Sequence, residues 1–279
     1  MRAGGASATL ESDIVSRDLL PRIASSVVLI AIAVLAAWAG GLIAAVVVAA
    51  ISAVVHAEWT GVTEAEASAA LPFTAAVIFS LLVFGLDYPT LAFVIAALGV
   101  VAGAAVGPRP WRPVGVLYAL TLGLGLLVLR DSPDYGLAAI AVLVAVVAAT
   151  DIGAFVAGRS IGGPKLWPAV SPKKTWAGAI GGLAAGIAAG IVAAALLDLG
   201  VSAGLVAVIV ILSISSQWGD LFESWVKRRF GAKDSGRLVP GHGGMMDRVD
   251  GLVFASAVAV MIGIGHNGVA NPAQGLVVW

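Results

Sequence analysis

The sequence predicts an all-α, polytopic membrane protein. Of its 279 residues, 60% are hydrophobic and only 11% are charged, and the mean hydropathy is +1.02. Soluble domains carry roughly 25% charged residues, so this composition lies outside their range. Apolar runs of about 20 residues, the length that crosses a bilayer as a helix, recur along the chain. Because these runs are continuously apolar and do not alternate, they favour helices over the strands of a membrane barrel.

Residues 1–22 are predicted to form a cytoplasmic N-terminal segment, and residues 23–279 a single transmembrane catalytic domain. About nine spans follow the polar N-terminal segment, separated by breaks that contain Gly or Pro: 23–38, 41–57, 69–86, 88–106, 113–130, 135–157, 175–197, 202–226 and 249–266. With the N-terminus in the cytoplasm, every Lys and Arg except Arg130 falls on the cytoplasmic side. Cytoplasmic loops carry an excess of basic residues, so this distribution supports the orientation.

A glycine stripe marks the seventh predicted span. Glycine recurs there at every fourth position, which places all the members of the stripe near one helix face: Gly178, Gly182, Gly186 and Gly190. Such a face lets a neighbouring helix approach closely, so the pattern predicts helix packing. Gly-rich faces also make a homodimer an expectation. The chain has no cysteine, which excludes disulfides, thiolate metal sites and cysteine nucleophiles.

Charge is concentrated in residues 213–250, the main signature of the chain. In the eighth span, polar residues recur at steps of three and four and form one helical stripe: Ser213, Ser216, Gln217, Asp220, Glu223, Ser224 and Lys227. An Asp at the centre of a membrane helix costs at least about 2.5 kcal/mol, so the stripe should face a polar cavity or a partner. Its two carboxylates indicate a cation site. A helix that simply leaves the membrane would also explain Glu223 and Lys227, but it explains Asp220 less well.

A basic, glycine-rich loop over residues 228–244 follows the stripe. It holds several cations and ends in a run of small residues: Arg228, Arg229, Lys233, Arg237 and Pro240-Gly241-His242-Gly243-Gly244. Glycine lets backbone N–H groups approach a phosphate, and Lys and Arg supply the counter-charge. A loop that only grips anionic lipid head groups would look similar. The acidic residues interleaved with the cations favour a functional site. His242 fits an acid, a base, a phosphate donor or a structural loop residue.

Asp247 and Asp250 open the ninth span three residues apart, on one face of the helix. With Asp220 they form a ligand set suited to Mg²⁺, which takes oxygen ligands and shares its coordination sphere with water and substrate phosphates. Carboxylates, cations and a flexible glycine loop together predict phosphoryl or nucleotidyl transfer.

Two other segments on the same predicted side are expected to join the site. Asp151 lies near the end of the sixth span, and Arg159 is predicted just past it. The run Ser171-Pro172-Lys173-Lys174-Thr175 precedes the seventh span, and its lysines suit a triphosphate or a lipid phosphate, although basic residues there also serve membrane topology. In contrast, a group of polar residues after the second span is predicted to form a solvated acidic loop: His56, Glu58, Glu64 and Glu66.

The main signature resembles that of the phosphatidate cytidylyltransferases, also called CDP-diacylglycerol synthases. The resemblance is carried by the residues from Ser224 to Asp250, by the preceding helix from Ser216 to Ser224, and by the lysine run. It is strong over residues 151–251, whereas the N-terminal half is similar mainly in hydropathy. Two positions depart from the family pattern: Ile152 stands where Thr is usual, and Ala177 where Glu is usual.

The resemblance implies the reaction of CTP with phosphatidic acid to give CDP-diacylglycerol and pyrophosphate, with Mg²⁺ required. The implied metal ligands are Asp220 and Asp247, with Asp250 and Glu223 as second candidates. The implied catalytic residues are Asp220, Lys227, Arg228, Lys233, Asp247 and Arg248. The implied substrate-binding residues are Lys173, Lys174, Ser224, His242, Gly243, Gly244 and Arg159. The expected partners are these two substrates and membrane lipids, with no nucleic acid, and the expected location is a bacterial-type plasma membrane with the site facing the cytoplasm.

Two alternative functions remain at this point. Another lipid phosphotransferase, of the CDP-alcohol phosphatidyltransferase type, would also use carboxylates and Mg²⁺, but its D-G-x2-A-R-x8-G-x3-D-x3-D pattern is absent from the sequence. An ion-coupled transporter would explain charges inside a span and would predict broken helices near the middle of the membrane. It would not explain a basic glycine loop beside paired carboxylates.

Overall fold

The computed structural model describes residues 28, 30–64, 70–106, 110–236 and 243–279, which fold into helices and one β-hairpin. The helices are α1 (Ile30–Ala39), α2 (Gly41–Thr63), α3 (Leu71–Gly85), α4 (Pro89–Ala105), α5 (Trp111–Arg130), α6 (Gly136–Ser160), α7 (Trp176–Leu196), α8 (Ala203–Arg229), α9 (Met246–Asn267) and α10 (Pro272–Val277). The strands are β1 (Lys165–Trp167) and β2 (Ser171–Thr175). The predicted N-terminal segment 1–22 lies outside the described residues.

Each predicted span overlaps a helix, and within the described residues most boundaries agree within a few residues. In the described part of the chain, six helices are long and apolar enough to cross a membrane: α2, α5, α6, α7, α8 and α9. Helices α1, α3 and α4 are also apolar but shorter, between 10 and 17 residues. The protein is therefore an integral membrane protein built mostly of helices. The short helix α10 was not predicted.

Two hydrophobic clusters form the core, and α8 and α9 contribute to both. The first cluster is formed by α2, α3, α4 and α5, and it includes Val226 near the end of α8 and Met246 at the start of α9. The second joins α6, α10 and the other halves of α8 and α9, with Leu212 and Ala259 fully buried. The polar stretch of α8 and α9 is thus held between two packed halves of the molecule.

The glycine stripe of α7 packs against α6 and α8, which confirms its interpretation as a packing face. A Cβ atom added at Gly182 would lie 2.7 Å from the carbonyl oxygen of Thr150 on α6, and one added at Gly190 would lie 2.7 Å from Ile209 on α8. Beside the stripe, the hydroxyls of Thr150 and Ser213 are hydrogen bonded at 2.8 Å. Since this face is occupied within the chain, it no longer supports a homodimer, which stays a prediction.

The segment between α6 and α7 folds as a β-hairpin, a small departure from the predicted all-α fold. Strands β1 and β2 pair antiparallel, with Lys165 opposite Thr175 and Trp167 opposite Ser171. The Thr175 side chain then caps α7 by accepting a hydrogen bond from the N–H of Gly178 at 3.0 Å. The hairpin therefore fixes the lysine run, which lies on β2, directly before the first turn of α7.

The prediction of a solvated acidic loop after the second span was wrong. Helix α2 continues to Thr63, and His56 and Glu58 are buried. Glu64 forms an ion pair with Arg112 at 2.7 Å. The reason is tertiary packing: Trp59, between these polar residues, lies against Tyr118 at 5.0 Å between ring centroids and donates to the carbonyl of Trp111 at 3.0 Å. Glu66 lies outside the described residues.

Substitution of Gly182 by Ala tests the close packing of α6 and α7. We expect Gly182→Ala to lower the free energy of unfolding by about 1–3 kcal/mol, because the added methyl group would overlap the backbone of α6. Chemical unfolding in detergent micelles measures the change. The matched control is Gly265→Ala in α9, where an added Cβ meets no atom within 4 Å. Equal stability of the two variants would contradict the packing.

Candidate functional site

Close contact between α8 and α9 brings the candidate site together. A Cβ atom on Gly219 of α8 would collide with the carbonyl oxygen of Asp250, and one on Gly251 of α9 would lie 3.2 Å from Ser216. Only residues without a side chain permit this approach. The contact places Asp220, next to Gly219, beside Asp250, next to Gly251.

Lys227 lies between two carboxylates near the end of α8. Its Nζ atom is 2.6 Å from Glu223 Oε2, one turn earlier on the same helix, and forms a second ion pair with Asp247 at the start of α9. The Glu223 side chain is only 1% exposed and that of Lys227 11%. Buried charges of this kind are tolerated when they are paired. In the described part of the chain, the second oxygen of Glu223, Oε1, has no hydrogen-bond partner.

Asp247 also organises the loop that precedes α9. While Oδ1 pairs with Lys227, Oδ2 accepts hydrogen bonds from the Ser235 hydroxyl at 2.8 Å, the Ser235 N–H at 3.2 Å and the Gly244 N–H at 3.1 Å. Ser235 in the middle of the glycine loop and Gly244 at its end are thereby attached to one carboxylate. Asp247 was predicted as a metal ligand, but both of its oxygens already have polar partners within the protein.

A second group of charges lies around Asp220. Lys174 of β2 forms an ion pair with Asp220 Oδ2. Asp151 of α6 interacts electrostatically with both of these residues. Asp250 accepts a hydrogen bond from the N–H of Gly251 at 2.7 Å. It also interacts electrostatically with Asp220 and Asp151. The sixth helix and the lysine run are thus brought to the polar stripe, as the sequence predicts.

The other predicted residues take varied positions. Arg228 donates to the carbonyl of Val170 in the hairpin at 3.4 Å and to that of Ala232 at 3.1 Å. Arg159 lies in the last turn of α6, which continues past the predicted end of the span, with its guanidinium 5.9 Å from the ring of Phe155. The remaining ones are exposed or half-buried, namely Lys173, Ser224, Lys233, Gly243 and Arg248. His242 and Arg237 lie outside the described residues.

Two residues at the site were not predicted. Glu58 of α2 accepts hydrogen bonds from the N–H groups of Met245 at 2.9 Å and Met246 at 2.7 Å. The Tyr118 hydroxyl is buried, has no hydrogen-bond partner in the described part of the chain, and interacts electrostatically with the carboxylates of α8 and α9. Neither residue lies in the signature, and both are brought to it only by the packing of α2 and α5 against α8 and α9.

An apolar groove lies beside the Asp220 group, between the hairpin, α7 and α8. Its volume is about 370 Å³, and most of its lining is apolar. Residues of the lining include Trp167, Trp176, Ile180, Gln217, Trp218 and Leu221. Gln217 precedes Asp220 by three residues on α8, and Trp176 follows Lys174 by two. The groove therefore opens next to the ion pair between Lys174 and Asp220.

The carboxylates suit a hard cation, although no three metal-ligating side chains converge among the residues that the structure describes. Magnesium does not need such a set, because it is usually held by one or two carboxylates together with water and substrate phosphates. Asp220 and Asp250, adjacent across the contact of α8 and α9, provide two. Glu223 and Asp247 share the ammonium of Lys227, so their charge is less available to a cation.

The fold and the site define a helical membrane protein that holds charged groups between its helices beside an apolar groove. The chain belongs to the cytidylyltransferase family, whose sequence profile matches residues 20–264. The phosphatidate cytidylyltransferase of Brucella suis biovar 1 (strain 1330) is 42% identical over 252 residues, 88% of this chain and 93% of the relative. That of Staphylococcus saprophyticus is 43% identical over 134 residues, 48% of this chain and 52% of the relative. These matches confirm the resemblance found in the sequence.

Removal of the Lys227 ammonium tests the buried ion pairs. We expect Lys227→Met to lower the free energy of unfolding by roughly 3–5 kcal/mol, because Glu223 and Asp247 would lose their common partner. Adding Glu223→Gln should restore part of the loss by removing one of the two negative charges. Chemical unfolding in detergent micelles measures both variants. Lys173→Met, the same change at an exposed lysine, should leave stability unchanged, and an equal loss in that control would contradict the arrangement.

Proposed function

We propose that the protein transfers the cytidylyl group of CTP to phosphatidic acid, giving CDP-diacylglycerol and pyrophosphate, in phospholipid biosynthesis. The observation that carries the proposal is the apolar groove beside the ion pair between Lys174 and Asp220. A lipid that bears a phosphate matches both features, because its acyl chains are apolar like the groove and its phosphate is charged like the ion pair. Membership of the cytidylyltransferase family and the names of the relatives support the same reaction.

The chemistry needs no strong base from the protein. A lipid phosphate is already anionic, so one of its oxygens attacks the α-phosphorus of CTP, a new P–O bond forms, and the bond to the pyrophosphate leaving group breaks. Positioning and charge neutralisation are then the main tasks of the site. We assign Lys174, Lys173 and Arg228 to the attraction of the phosphates. Lys227, Lys233 and Arg248 are the other cations that we assign to this task.

We assign Asp220 and Asp250 as the residues that would hold Mg²⁺. Their oxygens are the type of ligand that this ion prefers, and the negative charge of Asp151 nearby strengthens their attraction for a cation. When bound, the ion would neutralise the triphosphate and polarise the reacting phosphate. Asp247 and Glu223 would support the site through Lys227.

The groove is assigned to the acyl chains of the lipid. Its apolar lining between α7 and α8 suits hydrocarbon, while Gln217 and the ion pair mark the end where a head group would lie. The distribution of Lys and Arg supports nine spans and a cytoplasmic active site, and the bacterial source of the relatives supports a plasma-membrane location. A transporter has weaker support, since α6, α7, α8 and α9 are each continuous and the expected broken helices are not found among them.

The direct test is an assay of the purified protein with labelled CTP, phosphatidic acid and Mg²⁺. We expect CDP-diacylglycerol and pyrophosphate in equal amounts, and turnover should fall to background in Asp220→Asn and Asp250→Asn, because each loses a negative ligand. Asp247→Asn should also lose turnover, together with stability. The matched control is Asp198→Asn, in the connection at the opposite end of α7, which should retain activity. A folded wild-type protein that forms no CDP-lipid would exclude the proposed function.

The assignment of the groove has its own test. We expect Ile180→Trp, which fills the groove, to raise KM for long-chain phosphatidic acid while leaving KM for a dibutyryl analogue unchanged, because only long chains need the space. Steady-state kinetics with the two lipids measures the difference. Val192→Trp places the same ring at an exposed position of α7 outside the groove and should have no effect. A rise for both lipids in Ile180→Trp would show that the groove does not hold the acyl chains.

A further inference from the structure

Glu58 is a buried carboxylate that lies outside the signature yet contacts the loop of the signature and the start of α9. The residue is only 8% exposed on α2. Its Oε1 accepts a hydrogen bond from the Met245 N–H, and its Oε2 accepts one from the Met246 N–H. The Ser235 hydroxyl lies 3.3 Å from Oε2. Glu58 thus joins α2 to residues that lie nearly two hundred positions later in the chain.

The start of α9 depends on this distant carboxylate. The first N–H groups of a helix have no partner within it and usually find a local side chain. Helices α7 and α8 follow this rule, with Thr175 and Ser202 as their caps. Helix α9 has no such cap at Met245, and Glu58 accepts the two hydrogen bonds instead. A negative charge at this end of the helix is also favoured by the helix dipole. The contact therefore sets where α9 begins relative to α2.

Two glycines of the signature make room for Glu58. A Cβ atom on Gly236 would lie 2.5 Å from Glu58 Oε1, and one on Gly244 would lie 2.7 Å from Oε2. Real Cβ atoms do not approach oxygen so closely, so any side chain at either position would displace the carboxylate. Gly244, which the sequence predicts to bind phosphate, is therefore also required to be a glycine by the position of Glu58.

Ser235 connects Glu58 to the charged residues of the site. Its hydroxyl lies between the two carboxylates, 2.8 Å from Asp247 Oδ2 and 3.3 Å from Glu58 Oε2, and donates at the shorter distance. Asp247 in turn pairs with Lys227. We propose that Glu58 is a positioning residue for cytidylyl transfer, which orients Asp247 and Lys227 through Ser235 and through the first turn of α9. This inference rests on the proposed function.

The chain offers a matched control in Glu64, which lies at the end of the same helix. Glu64 is also a buried carboxylate, and it pairs with Arg112 at 2.7 Å. That contact joins α2 to α5 and does not involve the start of α9. A change at Glu64 therefore tests the effect of a lost buried carboxylate on stability, whereas a change at Glu58 also tests the geometry of the site.

The experiment compares Glu58→Gln, Ser235→Ala, their double variant and Glu64→Gln in the assay for CDP-lipid formation, at a temperature well below the unfolding midpoint of each. We expect kcat/KM for CTP to fall about 10- to 100-fold in Glu58→Gln, the range typical of residues that orient ligand-holding groups. In Ser235→Ala, kcat/KM for CTP should fall by a factor near the lower end of that range. The double variant should lose less than the product of the two single losses, because both changes break one connection.

A comparison of kcat/KM for CTP with KM for phosphatidic acid separates a positioning role from a general loss of structure. KM for phosphatidic acid should stay unchanged in the Glu58 and Ser235 variants, because the groove lies on β1, α7 and α8. Glu64→Gln should lower the unfolding midpoint and leave all kinetic constants at the wild-type values. If Glu58→Gln cannot be purified in folded form, Ser235→Ala decides the question.

The outcomes distinguish this inference from the function on which it rests. A wild-type protein that makes no CDP-lipid overturns the proposed function and the inference together. Normal wild-type turnover with unchanged kinetics in Ser235→Ala or Glu58→Gln overturns the inference alone. Equal kinetic losses in Glu58→Gln and Glu64→Gln also overturn it, since they would reduce the effect to stability.

Discussion

The ion pairs of Lys227 with Glu223 and Asp247 are the interaction on which the rest of the site depends. A buried lysine between helices is stable only while both carboxylates remain within reach. Glu223 meets this condition through helix geometry, since it lies one turn earlier on α8. Asp247 meets it only if α9 begins at a fixed height and rotation beside α8. The contact of Gly219 and Gly251 with the facing backbone sets that spacing, so the packing of small residues and the pairing of charges support the same arrangement.

The division of charge explains how one site can be both stable and reactive. Glu223 and Asp247 share Lys227, and their negative charge is largely used inside the protein. Around Asp220, in contrast, three carboxylates, Asp151, Asp220 and Asp250, interact, while Lys174 forms an ion pair with Asp220. An excess of negative charge at that point attracts a cation, and the cation can then attract phosphates. The first group holds the helices together and fixes the position of Lys227, and the second remains available for a metal ion.

Much of the fold could be predicted because its signals are local and periodic. Apolar runs marked the helices, the four-residue glycine spacing of α7 marked its packing face, and the three- and four-residue steps of α8 marked the polar stripe that contains Asp220. The β-hairpin was missed because its strands are short and carry Pro172 and two lysines, a composition typical of a loop. The wrong prediction at the end of α2 has another cause: its polar last turns resemble a solvated end, and they are buried by tertiary contacts, among them the aromatic packing of Trp59 against α5 and α8.

Glu58 shows why a signature does not contain its whole site. A signature is read along the chain, and it includes Ser235, Gly236, Gly244 and Asp247 because they are near one another in sequence. The carboxylate that they surround is 177 residues from Ser235, and no period or spacing connects the two positions. Gly236 and Gly244 are an indirect sign of Glu58 in the sequence, since a loop that contacted only phosphate would not need open space on the side that faces α2. A glycine in a phosphate-type loop therefore has two possible neighbours, a ligand and a buried side chain, and only the fold distinguishes them.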